Sequence, residues 1–276
     1  MNARGPNGVP DAQVVLDVQG VTRDYRTSQR RTPLRALEDV SLRVGRGTVV
    51  AIVGESGAGK STLARLTIGL ERPDCGEIWF EGRNLSALSP RQRRSEQRRM
   101  HMIMQDPYGS LHPAMRVRDL VAEPLVIARV AQEERTERVE EAMREVGLLP
   151  LHRFVDRRPH ELSGGQRQRV AFARAIVGKP SLIVADEPTS MLDASLRAVI
   201  LELVHEIRDR WATSFLFITH DLALARFAAD DLVVLSRGRI VDQGPCETVL
   251  QHPTHPTTIA LLNASRGTRA RSNTHD

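Results

Sequence analysis

The chain has 276 residues, 41% hydrophobic and 26% charged, with a formal net charge of +5, an ordinary balance for one or two cored domains. No apolar run approaches the roughly 18 residues of a membrane span. Residues 1–11 lack the apolar stretch of a secretory leader, and Cys75 and Cys246 lack metal-type spacing, which suits a reducing compartment.

Lys60 and Lys179 are the only lysines among 39 basic side chains. The positive charge therefore reads as arginine-rich coding before it reads as a dedicated nucleic-acid or lipid surface. Residues 1–12, rich in Gly, Pro and Asn, are expected to be disordered. Short β-rich pieces follow at 14–18, 41–44 and 48–53. Tyr25 ends a first piece, and its ring suits stacking on a purine, worth about 1–3 kcal/mol; an edge-strand tyrosine is the plainer alternative.

The stretch Gly54-Glu55-Ser56-Gly57-Ala58-Gly59-Lys60-Ser61-Thr62 fits G-x-x-x-x-G-K-[ST]. Its glycines let successive N–H groups converge on one concave site, and the following helix aims its positive end there. Lys60 is expected to reach the β/γ-phosphates of a nucleoside triphosphate, and Ser61 to hold Mg²⁺. Leu63, Leu66 and Leu70 recur at helical spacing before Pro73. The spacing thus predicts strand, loop and helix in the order that phosphate binding needs.

Residues 76–80 read as a strand. Ser89-Pro90 opens a helix carrying Arg91, Arg93, Arg94, Arg98 and Arg99, either a solvated face or a contact for phosphates or lipid headgroups. A strand at 100–104 delivers Gln105 to a turn-rich segment. Tyr108, Leu111 and Met115 there are expected to form an exposed apolar patch. Residues 106–178 read as an inserted helical subdomain, with a stripe of Val139, Ala142, Met143 and Val146 and a stop at Gly147.

Ser163, Gly164, Gly165 and Gln166 open another helix. They read as a second anion site or as an ordinary N-cap with a flexible turn. Ser181 to Glu187 is an apolar run ending in two carboxylates, a buried parallel strand. Asp186 at its end suits Mg²⁺, and Glu187 suits accepting a proton from attacking water. Another core strand, 215–219, ends at His220, which is expected to face the phosphates. A hairpin is predicted around Arg237-Gly238, and residues 266–276 read as a flexible tail.

Taken together these residues resemble the ATP-binding cassette (ABC) family over about residues 14–262. The likeness rests on an aromatic A-loop residue (Tyr25), Walker A (54–62), a Q-loop (Gln105), the LSGGQ signature (162–166), Walker B (182–186), Glu187, a D-loop (190–193, including Asp193) and a switch histidine (His220). The resemblance implies an α/β fold: a P-loop NTPase core, an antiparallel β subdomain and an inserted helical subdomain, within a cassette at 13–265. It implies ATP hydrolysis with Mg²⁺ held by Ser61, Asp186 and Gln105. It also implies a head-to-tail pair of cassettes, in which Ser163, Gly164, Gly165 and Gln166 complete the partner's ATP site.

A narrower resemblance, carried by residues 105–111, Pro159-His160-Glu161 and the tail 252–258, points to ATPase subunits of dipeptide and oligopeptide importers. It departs in Met191, where alanine is commoner, and in a tail with threonine where His-Pro-Tyr-Thr is usual. Nickel or oligosaccharide import, and a non-transport ABC ATPase, remain as alternatives. The implied partners are a second cassette (identical or a homologue), two membrane permease subunits and, indirectly, a solute-binding protein, with no specific nucleic acid. The implied location is peripheral, on the cytoplasmic face of the membrane, with a short permease helix received near residues 105–124.

Overall fold

The computed structural model describes residues 13–26, 33–190, 192 and 194–272; the expected disordered stretch 1–12, Met191, Asp193 and residues 273–276 lie outside them. Strands β1 (Val14–Tyr25) and β2 (Leu34–Gly45) each run 12 residues, longer than the short apolar pieces at 14–18 and 41–44. Cross-strand ion pairs occur both within those pieces and beyond them. Asp17 meets Arg43 at 3.2 Å and Asp24 meets Arg35 at 2.9 Å, while Leu16, Val18, Leu42 and Val44 are buried.

Strand β3 (Val49–Val53) is wholly buried and feeds α1 (Lys60–Thr67). That helix stops before Leu70. Leu70 N–H donates to Arg65 O and Gly69 N–H to Leu66 O, both at 2.9 Å, the 6→1 and 5→2 bonds of a Schellman ending. Leu70 is consequently 55% exposed and does not belong to the apolar stripe that its spacing suggests. Strands β4 (Cys75–Phe80) and β5 (Arg83–Asn84) complete an antiparallel sheet in the order β2-β1-β4-β5.

Helix α2 (Pro90–Gln97) begins with a full capping box between Ser89 and Gln92. After β6 (Met100–Ile103) come α3 (Pro107–Ser110), α4 (Val117–Ile127), α5 (Gln132–Glu145) and α6 (Gly164–Ile176). Val139, Ala142, Met143 and Val146 all lie in the core that these helices share. Gly147 adopts φ 69° just past α5.

Strand β7 (Leu182–Asp186) returns the chain to the central sheet. It is followed by α7 (Ala194–Trp211), β8 (Ser214–Ile218), α8 (Leu222–Ala228), β9 (Asp231–Ser236), β10 (Arg239–Pro245), α9 (Cys246–Gln251) and α10 (Pro256–Ser272). The last helix continues past Gly267, where the composition suggests a tail. The six-stranded order is β10-β9-β3-β8-β7-β6, parallel except for the β9–β10 hairpin. Every residue of β3, β7 and β8 is buried, as expected for strands covered on both faces. β8 lies between β3 and β7, and both Ile52 and Asp186 pair with Ile218. The residues that follow these three strands thus emerge side by side at one edge, where open parallel sheets hold their ligands.

Candidate active site

The loop after β3 turns into α1 without any side-chain cap. Gly59, at the N-cap, has φ 107°, and no acidic residue occupies the first turn. The orphan N–H groups of the helix start are left for an external anion. A Cβ at Gly59 would sit 2.5 Å from Ala36 O and 2.8 Å from Leu37 Cδ2, so only glycine fits between the loop and β2. Ala58, buried, closes the loop from behind: its O accepts from Gly238 N–H and its N–H donates to Glu55 O.

Lys60 is only 7% exposed. Its Nζ donates to Gly54 O at 2.8 Å and to Glu55 O at 2.9 Å, so the ammonium is stored inside its own loop. Burial lowers its pKa, while Glu187 and Asp186 oppose that shift. Asp186, itself buried, has its pKa raised by burial and by Glu187; the Ser61 hydroxyl bond and Lys60 pull the other way.

Ser61 and Asp186 therefore bring a hydroxyl and a carboxylate together beside the phosphate loop. Among the described residues no group of three or more His, Cys, Asp or Glu side chains is placed to hold a metal. Two protein oxygens with remaining positions open fit Mg²⁺ shared with phosphate and water, and do not fit an all-protein cage.

Glu187 has φ 47°, a left-handed conformation that costs a non-glycine residue roughly 1–3 kcal/mol and clusters at functional sites. It is held there by Glu187 N–H donating to Ile218 O, and by Ser190 donating to Glu187 O through both N–H and hydroxyl. The side chain is gripped from two sides. Gln105 Nε2 donates to Oε2 at 3.1 Å, and His220 Nδ1 lies 3.2 Å from Oε1.

A cleft of about 630 Å³ gathers Tyr25, Ser56, Gly57, Gly59, Lys60, Ser61, Thr62, Gln105, Glu187 and His220. Asp186 reaches it through Ser61, and Gly54 and Glu55 through Lys60. Sequence reasoning missed Leu34, Arg35 and Ala36, which also line it. The register that pairs Tyr25 with Leu34 brings them there, and no motif or spacing in the sequence marks it.

Residues 163–166 are absent from the described lining of this cleft. Ser163 caps α6, its Oγ accepting from Gln166 N–H at 3.3 Å while Gln166 Oε1 accepts from Ser163 N–H at 3.0 Å. A Cβ at Gly165 would fall 2.7 Å from Leu196 Cδ1, whereas one at Gly164 would meet nothing within 4 Å. The signature is thus seated by Gly165 against α7 and open at Gly164, and it lines no described part of the cleft at the chain's own phosphate loop.

The apolar patch expected at 108–115 is corrected in part. Leu111 is 1% exposed and Met115 packs against the same core; Tyr108's side chain lies outside the described residues. Leu111 turns inward because the segment lies over α6, where Arg174 donates to Ser110 O at 3.0 Å. The exposed apolar groups nearby are instead Met104 (47%) and Ile127 (57%). They border a second cleft with Arg94, Arg98, Arg138 and Arg174. Among the described residues no helix is long and apolar enough to cross a membrane.

The sequence profile of the ABC transporter family matches residues 37–190. The di/tripeptide transport ATP-binding protein DppF of Pseudomonas aeruginosa is 43% identical over 92% of this chain and 79% of that protein. The dipeptide transport ATP-binding protein DppF of Escherichia coli is 40% identical over 84% of this chain and 69% of that protein. Among solved structures, the dimeric ATP-binding cassette MJ0796, in a post-hydrolysis state bound to ADP and Pi, superposes with a TM-score of 0.75 at 29% identity, covering 84% of this chain and 98% of that one. The chain belongs to the ABC transporter family and is an ATPase cassette of it.

Proposed function

We propose that this cassette powers import of di- and oligopeptides, working from the cytoplasmic face of the membrane with a second cassette and two permease subunits. The observation that carries the ATPase part of this reading is the double grip of Gln105 and His220 on Glu187, beside Lys60 and Ser61. ATP would lie with its phosphates on the loop 54–62, its terminal phosphate near Lys60 and its base towards Tyr25. Glu187 would orient the attacking water and take its proton, while His220 would contact the γ-phosphate. Ser61, Asp186 and Gln105 would hold Mg²⁺, which supplies charge neutralisation at the phosphate oxygens when bound.

Residues 163–166 are not among the lining of the cleft that would need them, which supports a head-to-tail pair in which each chain's signature closes its partner's site. Asp193 would lie along that interface. For the solute, support comes from the dipeptide and di/tripeptide transport relatives, each aligned along most of this chain. The test is uptake of a labelled dipeptide by cells or proteoliposomes carrying the complete transporter. ATP-dependent uptake should be abolished by Glu187→Gln in this subunit and competed by unlabelled di- and tripeptides. Competition by nickel or an oligosaccharide, with peptides inert, would refute the peptide reading while leaving the ATPase intact.

A further inference from the structure

Glu71, beyond the end of α1 and outside every recognised motif, is the hub of a cluster at the base end of the cleft. Its Oε2 accepts from Tyr25 Oη at 2.6 Å and from Arg23 Nε at 3.2 Å, and its Oε1 accepts from Arg65 Nε at 2.6 Å. Arg65 Nη2 also reaches Tyr25 Oη and Thr62 Oγ1, each at 3.4 Å. The Arg23 guanidinium carbon stands 4.9 Å from the centre of the Tyr25 ring, a cation–π distance. Among the described residues that line the cleft, Tyr25 is present and Arg23 is not. Arg23 therefore backs the ring and leaves the cleft side for a ligand.

A surface ion-pair cluster tying α1 to β1 would need the carboxylate and the two arginines alone. Here the shortest bonds to the carboxylate include one from the phenol. An aromatic side chain at the end of a strand would otherwise sample several orientations, and binding would have to immobilise it. Burial disfavours ionising Glu71, but the bonds from Tyr25 and Arg65 and the nearby arginine charges hold its carboxyl below the ordinary range. It therefore stays an acceptor at neutral pH.

We propose that Glu71, with Arg65 and Arg23 as positioning residues, pre-sets the Tyr25 ring for stacking on the purine of the nucleotide and links that stack through Arg65 to Thr62 of the phosphate loop. The proposal rests on the reading of Tyr25 as the base-stacking residue. Calorimetric titration of the full chain with ATP and with inorganic tripolyphosphate separates base from phosphate recognition.

Tyr25→Ala should weaken ATP binding by about tenfold, within the range for loss of one stacked base, and leave tripolyphosphate unchanged. Glu71→Ala should weaken ATP by roughly threefold to tenfold, again without affecting tripolyphosphate, and should cost nothing further when Tyr25 is already Ala. Tyr25→Phe, which keeps the ring and loses the tether, should match Glu71→Ala, and it carries the test alone if Glu71→Ala does not fold. Equal losses for ATP and tripolyphosphate, or a further loss in the Tyr25→Ala background, would overturn the proposal. If Tyr25→Ala weakens ATP while Glu71→Ala and Tyr25→Phe do not, the positioning role alone fails. If Tyr25→Ala leaves ATP affinity unchanged, the stacking reading fails first and the positioning role with it.

Discussion

His220 Nδ1 stands 3.2 Å from Glu187 Oε1, while Gln105 holds the other carboxylate oxygen at 3.1 Å. The residues come from three places in the chain, after β8, β7 and β6, and the parallel order of those strands makes them neighbours. Glu187 is thereby aimed before any nucleotide arrives. Glu187→Gln keeps the shape but removes the base. ATP turnover should fall by about 10²–10⁴-fold, the range for a positioned general base, with ATP affinity retained and a closed cassette dimer accumulating on size-exclusion chromatography. Turnover within a few-fold of wild type would remove Glu187 from that role.

Lys60 leads to a different outcome. Its ammonium now bonds to Gly54 O and Glu55 O, and a phosphate has only to replace those neutral acceptors with charged ones. Charge-assisted bonds of this kind are worth roughly 1.5–3 kcal/mol. Lys60→Ala should therefore weaken ATP binding itself by at least about tenfold, read by equilibrium titration. Unchanged affinity would count against the loop as the phosphate site.

The sequence was most legible where local chemistry fixes local shape. The strand–loop–helix around Lys60, the Ser89-Pro90 helix start, the Gly147 stop and the buried runs at β7 and β8 follow from spacing and composition. Leu70 and Leu111 were not legible, for opposite reasons. Hydrogen bonds at a helix end released Leu70 to solvent, and tertiary packing on α6 drew Leu111 inward; neither contact leaves a periodic trace. Glu71 was invisible because its partners, Arg23, Tyr25 and Arg65, are joined only once β1 and the end of α1 meet.

The signature's separation from the cleft gives a prediction about pairs of chains. Ser163→Arg places bulk and charge at the exposed start of α6. It should leave ATP binding at the same chain's Lys60 loop intact and block hydrolysis in the partner. A mixed dimer with one altered chain distinguishes the two sites. Loss confined to the altered chain's own site would exclude the head-to-tail arrangement.

His101, half-buried in β6, has its pKa pushed down to about 4 by burial, with Arg174 adding repulsion. Arg94, Arg98, Arg138 and Glu123 border the same cleft, and Glu123 is engaged by Arg174 at 2.5 Å. The folded state therefore resists a proton that the unfolded state takes up near pH 6.5. The stability that follows from keeping His101 neutral is present above pH 6.5 and is lost as the pH falls towards 4. His101→Gln should flatten that part of the profile, narrowing the wild-type loss between pH 7 and pH 5 by about 1 kcal/mol in urea unfolding. Parallel profiles for the two proteins would show that His101 takes no part in it.

Burial of Leu111 moves the expected permease contact to its neighbours. Met104 and Ile127 are the exposed apolar groups on the cleft bordered by Arg94, Arg98, Arg138 and Arg174. Exposed apolar groups beside arginines suit a short amphipathic helix bearing carboxylates, the form in which a permease would present a cytoplasmic segment. Met104→Asp combined with Ile127→Asp places two carboxylates where that helix would bury its apolar face. Co-purification with the permease and transport should both be lost, while the isolated cassette keeps its ATP affinity and thermal midpoint. Leu111→Asp should behave differently. It buries a charge in the core shared by α4, α5 and α6 and should lower stability by several kcal/mol, read as a lower unfolding midpoint of the cassette alone. If the Met104/Ile127 variant assembles and transports normally, the permease grips another face. If Leu111→Asp leaves the midpoint unchanged while abolishing assembly, Leu111 belongs to the docking surface after all.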